Sequence, residues 1–146
     1  MLWRLGQGGD FRIVASDPHP WFSHQHDPNF LADDSTLVLF DNGNVRVAAD
    51  ADAHSRGQVL QVDEENRVAR VLLNADLGVY SSALGSAQRL RNGDFQFDAG
   101  FIYDEASGSL VSRSLVVNPA GALVSNIQSL NLVYRTFQMR DLYTAP

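Results

Sequence analysis

Short apolar runs, each cut off by turn residues, recur along the whole chain and read as a succession of β-strands. Ser35-Thr-Leu-Val-Leu-Phe40 is one such run, and it stops at Asp41-Asn-Gly-Asn44. Asn-Gly supplies the positive φ angles of a tight type I′ turn, so a hairpin is predicted there. Gln58-Val-Leu-Gln-Val62 alternates polar and apolar, breaks at Asp63-Glu-Glu-Asn66 and resumes as Arg67-Val-Ala-Arg-Val-Leu-Leu73, which predicts a second hairpin. Ser86-Ala-Gln-Arg-Leu90, another Asn-Gly turn at Asn92-Gly93, and Phe95-Gln-Phe97 repeat the rhythm. Gly100-Phe-Ile-Tyr103 follows, then a turn at Asp104–Gly108, Ser112–Val117, a turn at Asn118-Pro-Ala-Gly121 and Ala122–Ile127. The alternating stretch Asn131–Met139 predicts one more strand, and no segment carries a convincing helical period.

Turns roughly every 8–12 residues between short strands limit the fold to a sandwich, barrel or propeller. Recurrence favours the propeller: Gln25-His-Asp-Pro opens one strand series and Gly85-Ser-Ala-Gln opens another. The fold class is therefore all-β, built of antiparallel four-stranded blades. Residues 1–20 would end a preceding blade, 21–78 form one blade, and 79–146 form the next with a closing strand. A blade takes about 40–50 residues and a ring at least four blades, so the chain supplies about two to three blades of an incomplete ring.

Composition narrows the partners. All 11 basic residues are Arg, 17 residues are acidic, and the net charge is −6. No basic cluster is present to release counterions from phosphates, which argues against nucleic acid. No apolar run approaches the roughly 20 residues of a membrane-spanning helix. The first residues, Met1–Gly9, lack the apolar stretch of a signal peptide, so an export signal would have to lie outside this chain. The absence of Cys removes disulfides and thiolate sites and leaves the compartment open.

The chemistry-bearing cluster is His24-Gln-His26-Asp27. In an extended segment both imidazoles share a face. A neutral imidazole can attack an electrophile or accept a proton, and a neighbouring carboxylate can fix its tautomer. Arg46, just past the Asn-Gly turn, could return to the same rim, where its planar fork suits sulfate or phosphate-ester oxygens. A metal alternative joins His24 and His26 to Asp50, Asp52 or His54; a solvated acidic loop is the plainer reading of Asp50–His54. His19 between two prolines reads as rigid loop. Asp33-Asp34 and Asp104-Glu105 read as exposed turn acids, and Trp3, Trp21, Phe95, Phe97 and Tyr103 as packing aromatics. Gly6-Gln-Gly8-Gly9 lacks phosphate-loop spacing.

Taken in order, Leu2-Trp-Arg-Leu-Gly6, Phe22-Ser-His-Gln-His-Asp27, Phe40-Asp-Asn-Gly-Asn-Val-Arg46, Ser55-Arg56, Gln58–Asp63, Tyr80-Ser81 and Gly85-Ser-Ala-Gln88 resemble the bacterial arylsulfotransferase family over residues 1 to about 100. The resemblance implies a six-bladed propeller with its site in the central channel. It also implies transfer of a sulfuryl group from an aryl sulfate to a phenolic acceptor through a sulfated histidine, independent of PAPS and needing no cofactor. His26 matches the family's Gln-His position and Arg46 the Arg after its Asn-Gly turn, as catalytic residues, with His24, Asp27 and Asn42 supporting substrate. The resemblance is compatible with a periplasmic or secreted protein. Two departures are visible: no histidine follows His54, and the rest of the ring is missing, so the chain alone is expected to be inactive and to need the remaining blades. The rival reading is a non-catalytic propeller module that binds protein or glycan.

Overall fold

A computed structural model describes residues 2–139 and 141; residue 1, residue 140 and residues 142–146 of the expected closing segment lie outside the described part. Among the described residues nine strands and one short helix run in the order β1 (Arg12–Val14), β2 (His26–Phe30), β3 (Thr36–Asp41), α1 (Asn44–Ala49), β4 (Arg56–Asp63), β5 (Val68–Asp76), β6 (Ser86–Arg89), β7 (Phe95–Asp104), β8 (Ser109–Val117) and β9 (Leu123–Ser129). They form two sheets, β1-β5-β4-β3-β2 and β6-β7-β8-β9. Every neighbouring pair is antiparallel except β1 on β5. From β2 to β5 and from β6 to β9 the chain meanders outward in sequence order, and β2 and β3 both pack on β6. The fold is all-β, with no closed barrel, and two stacked four-strand meanders are consistent with part of a propeller.

Local chemistry makes the tight turns. Asp33 accepts from the Ser35 and Thr36 amides and the Thr36 hydroxyl, and those bonds, the hydroxyl's first, pull its carboxyl down to about 2. Asp63 holds the Asn66 amide and side chain in the same manner. Asn118 Oδ1 accepts from the Ala120 and Ala122 amides. Gly93 takes the positive φ expected of Asn92-Gly93.

The sheets meet through one large core. Val38, Phe40, Val59, Leu73 and Ala75 face Ala87, Phe95, Phe97, Ala99, Leu115 and Val117. Its geometry is reciprocal, because each of two fully buried phenylalanines lies against a glycine of the facing element. A Cβ on Gly57 would sit 2.1 Å from the Phe97 ring, and one on Gly85 would sit 2.5 Å from the Phe40 ring. The opposite face of the first sheet (Leu37, Leu39, Leu60, Val62) is covered by the N-terminal segment through Phe11, Trp3, Leu5, Trp21 and Phe22.

Several sequence expectations are corrected here. Asn42-Gly43 makes no hairpin: Gly43, at φ 74, starts α1, a helix that the pattern did not reveal. The Asn42 side chain is buried and committed between the sheets, so its backbone cannot sit at an exposed turn tip. Phe95–Phe97 and Gly100–Tyr103 belong to one strand, β7, bulged between Ala99 and Ile102. Tyr103 is 63% exposed rather than packed. Asn131–Met139 is not a strand; it crosses the outer face of the second sheet, held by side chains of β6 and by two isolated backbone bonds, Gly85 N–H to the Tyr134 carbonyl (3.3 Å) and Val133 N–H to the Gly100 carbonyl (3.4 Å), without a continuous ladder.

Gly57→Ala drives a methyl group into the Phe97 ring. It is expected to cost about 1–3 kcal/mol, as overpacking does, and a lowered urea midpoint with unchanged slope measures it.

Candidate functional site

Two neighbouring residues at the end of β3 organise this region. Asp41 and Asn42 are both fully buried. Asp41 Oδ1 accepts the Ser23 amide at 2.8 Å, while Oδ2 accepts from Arg56 (Nε 3.0 Å, Nη2 2.9 Å) and from Arg46 Nη2 at 3.2 Å. Arg56 is 4% exposed and reaches Asp17 Oδ2 with Nη1 at 2.8 Å and the Trp21 carbonyl with Nη2 at 3.3 Å. Burial raises the Asp17 carboxyl, but the His19 amide, Arg56 and Asn74 outweigh it and hold the group below its usual range. Two carboxylates and two guanidiniums therefore close a balanced knot that fastens residues 17–23 to β3 and β4. Buried charges are tolerable when paired and hydrogen-bonded in this way, and here only Arg46 Nε, among the described atoms of the knot, is buried without a partner.

Asn42 ties the two sheets together. Its Nδ2 donates to the Ser81 carbonyl at 2.6 Å and the Leu84 carbonyl at 3.1 Å. Both N–H bonds are spent on carbonyls, so Oδ1 faces the other way, to His26 Nδ1 at 2.6 Å. Oδ1 can only accept, so the neutral His26 ring carries its proton on Nδ1 and its lone pair on Nε2. The His24 carbonyl, 3.2 Å from Nδ1, supports the same tautomer. Around this junction, Ser55 Oγ donates to the Asn42 carbonyl and accepts the Ser81 amide, and Asn44 Nδ2 donates to the Ser82 carbonyl.

Backbone strain aims His26. His24 and Asp27 both hold positive φ (54° and 51°), and the β2–β3 register shifts between His26 and Asn29. Left-handed backbone is uncommon outside glycine, though His and Asp tolerate it better than most residues, and it recurs at functional sites.

The motif stretches from Trp3 to Gln88 thus occupy joints of the fold, and a family model confirms their common origin: the arylsulfotransferase (ASST) model matches residues 1–103. The chain belongs to the arylsulfotransferase family. No curated protein matches it. Membership implies, at a coarse level, aryl substrates. No helix among the described residues is long and apolar enough to cross a membrane.

Within this arylsulfotransferase chain the expected site residues divide into separate places. His26 and Asn42 are brought together. Asp27 turns away from His26; it accepts the Ala87 amide at 3.2 Å and pairs with Arg135 at 3.1 Å, so Asn42 fixes the imidazole instead. His24 is exposed. Arg46 lies on α1, bonded to the His54 carbonyl at 2.8 Å and to Asp41. It borders a cavity of about 450 Å³ lined also by His19, Trp21, Phe22 and Ser23, and not by His26. The alternative metal grouping is not assembled: His54 pairs with Asp76 at 3.0 Å, and no three His or acidic residues among those described could hold a metal.

Sequence reasoning missed Asp41, Asp17 and Arg135. The buried pair Asp41–Arg56 was legible in outline, because Phe40-Asp-x-Gly43 returns as Phe97-Asp-x-Gly100 and Ser55-Arg56 returns as Ser112-Arg113 at the same offset. Replacing Arg56 by Leu, which leaves the buried Asp41 carboxylate with only the Ser23 amide and the longer Arg46 contact, is expected to cost about 3 kcal/mol. Arg56→Lys should recover little in thermal or urea unfolding, because one ammonium cannot span Asp41, Asp17 and the Trp21 carbonyl.

Proposed function

We propose that the protein acts in sulfuryl transfer between aryl sulfates and phenols, with His26 Nε2 as the nucleophile. The observation that carries this reading is the locked carboxamide of Asn42, which leaves the His26 lone pair on Nε2, the ring nitrogen with no hydrogen-bond partner among the described residues. Nε2 attacks the sulfur of the aryl sulfate, the bond from sulfur to the aryl oxygen breaks, and the phenolate leaves with the electron pair and takes a proton from solvent. The phenolic acceptor then attacks the same sulfur, its hydroxyl proton goes to solvent, and the N–S bond returns its electrons to Nε2. Positioned cations that meet the developing oxygen charge lower the barrier in such in-line transfers. The resemblance gives that part to Arg46, with His24 and Asp27 at the edge of the substrate's path; in these two sheets Arg46 is held by Asp41 and the His54 carbonyl beside a different cavity, so the role requires it to be released toward His26.

Two stacked sheets leave this reaction open to water, whereas group transfer needs water excluded. We therefore assign turnover to a ring in which further blades enclose β2 and β6. A second reading, a non-catalytic module for protein or glycan, draws on Arg46 being already committed to Asp41 and the His54 carbonyl.

In the intact parent protein, 4-nitrophenol release from 4-nitrophenyl sulfate should depend on added phenol. His26→Ala should lower it at least about a thousand-fold, as loss of a nucleophile does, and Asn42→Ala should lower it less. Turnover that is absent, or indifferent to His26→Ala, would overturn the catalytic reading and favour the binding module.

A further inference from the structure

Asp98 occupies the place in the second sheet that Asp41 occupies in the first, yet its surroundings are opposite. It follows Phe97 as Asp41 follows Phe40 and is fully buried, but neither carboxylate oxygen meets a hydrogen-bond donor. Across the strands its neighbours are Ser86 and Ser114, where Asp41 has Arg56. Directly paired residues share a face, so these three side chains lie together on the outer face of the second sheet.

Residues 131–138 cover that face, and the manner of their attachment is specific. Ser86 Oγ accepts the Thr136 amide (3.2 Å) and donates to the Thr136 carbonyl (2.9 Å). Gln88 likewise takes the Gln138 amide at 2.9 Å and donates to its carbonyl at 3.2 Å. Two side chains of β6 imitate a strand's edge and hold the segment in register, so it binds without joining the sheet. The same segment supplies Arg135 and Phe137 to a cavity of about 420 Å³ between the inner strands, lined also by Asp27, Asn29 and Gln88.

We propose that residues 131–138 form a lid on this inner-strand cavity and that its closure is coupled to protonation of Asp98. A closed lid seals the carboxyl from water, and a sealed carboxyl without donors is far cheaper neutral than charged. Burial accordingly raises the Asp98 carboxyl to about 6; the Thr136 hydroxyl lies near enough to offset part of the rise but outside hydrogen-bond geometry, and it donates to Ser114 Oγ at 3.3 Å instead. No charged group compensates it. Arg135 on the lid is paired with Asp27 of β2, Arg113 of β8 is bonded to Gln128 on the far side of its strand, and Arg89 ends β6 in solvent. His26 of β2 is bonded to Asn42.

The sign follows from linkage. The closed state binds the proton more tightly than an open state in which Asp98 is hydrated and near 3.8, so closure is strongest below that value. It weakens as pH rises to about 6 and is then constant, with the opening equilibrium increased about 100-fold across the window. The lid is thus held shut in acid and loosened near neutrality, which releases Arg135 from Asp27 beside the cavity. This inference does not rest on sulfuryl chemistry.

Amide exchange on the full chain, corrected for intrinsic rates between pH 4 and 8, tests it. The Val133, Thr136 and Gln138 amides should lose protection by ten- to a hundred-fold as pH rises, while β4 and β5 amides keep theirs. In Asp98→Asn the protection of the lid should be flat with pH. Equal slopes in wild type and variant, a flat wild-type profile, or parallel loss in β4 and β5 would each overturn the proposal. Should Asp98→Asn fail to fold, the Asp98 carboxyl carbon can be titrated in wild type. Its midpoint should lie near 6, with lid protection falling away on the acid side of it; a midpoint near 4 would overturn the coupling.

Discussion

Burying the Asn42 carboxamide between the two sheets requires every one of its hydrogen bonds to be met by protein, since a buried unpaired amide is costly. That single demand sets several parts of the molecule together. The N–H groups draw in the Ser81 and Leu84 carbonyls and so dock the connection between the sheets. The oxygen then has only His26 to meet, which orients the imidazole and chooses its tautomer. The same burial forces the chain at Gly43 into α1 instead of a hairpin, and this carries Arg46 back toward Asp41. Gly43 takes the left-handed backbone of the return path at φ 74, and a Cβ there would sit 2.5 Å from Arg46 Nη2, so a larger residue would displace that guanidinium from Asp41.

The two buried aspartates show what a repeated motif does when its partners change. Asp41 receives four donors and becomes a structural joint, whereas neither oxygen of Asp98 has a hydrogen-bond partner. The difference comes from one cross-strand position, Arg56 against Ser114, and from what lies above the sheet. Relative to Asp41 and Arg56, the pairing of β7 with β8 is slipped by one residue, so Arg113, the sequence counterpart of Arg56, pairs with Ala99 and points away. A register shift of one residue reverses the face of a side chain. A recurring Ser-Arg can therefore be a buried clamp in one sheet and a surface group in the other.

The stretches that identify the arylsulfotransferase family serve architecture before chemistry. Phe40 packs on Gly85 and Gly57 accepts Phe97, while Asp41, Ser55, Arg56 and Ser81 exchange hydrogen bonds across the joint. His26 is the member of this joint whose ring keeps one nitrogen, Nε2, without a hydrogen-bond partner among the described residues. Family membership is carried by residues 1–103, and within them the motif residues shape the contact between the two sheets.

The sequence by itself determined the strands, most of the turns and the all-β class, because alternation and Asn-Gly or Asp-initiated turns are local physics. It also pointed to His26 and Asn42 through their motif. The tertiary structure alone decided which amide of Asn42 faces which partner, that Arg46 is bound to Asp41, and that Asp27 belongs to Arg135. It decided, too, that Asn131–Met139 lies across the outer face of the second sheet although its alternation suits a strand. Each of these depends on contacts between residues distant in sequence, where burial sets the cost of an unmet hydrogen bond, and periodicity along a chain carries no record of that cost.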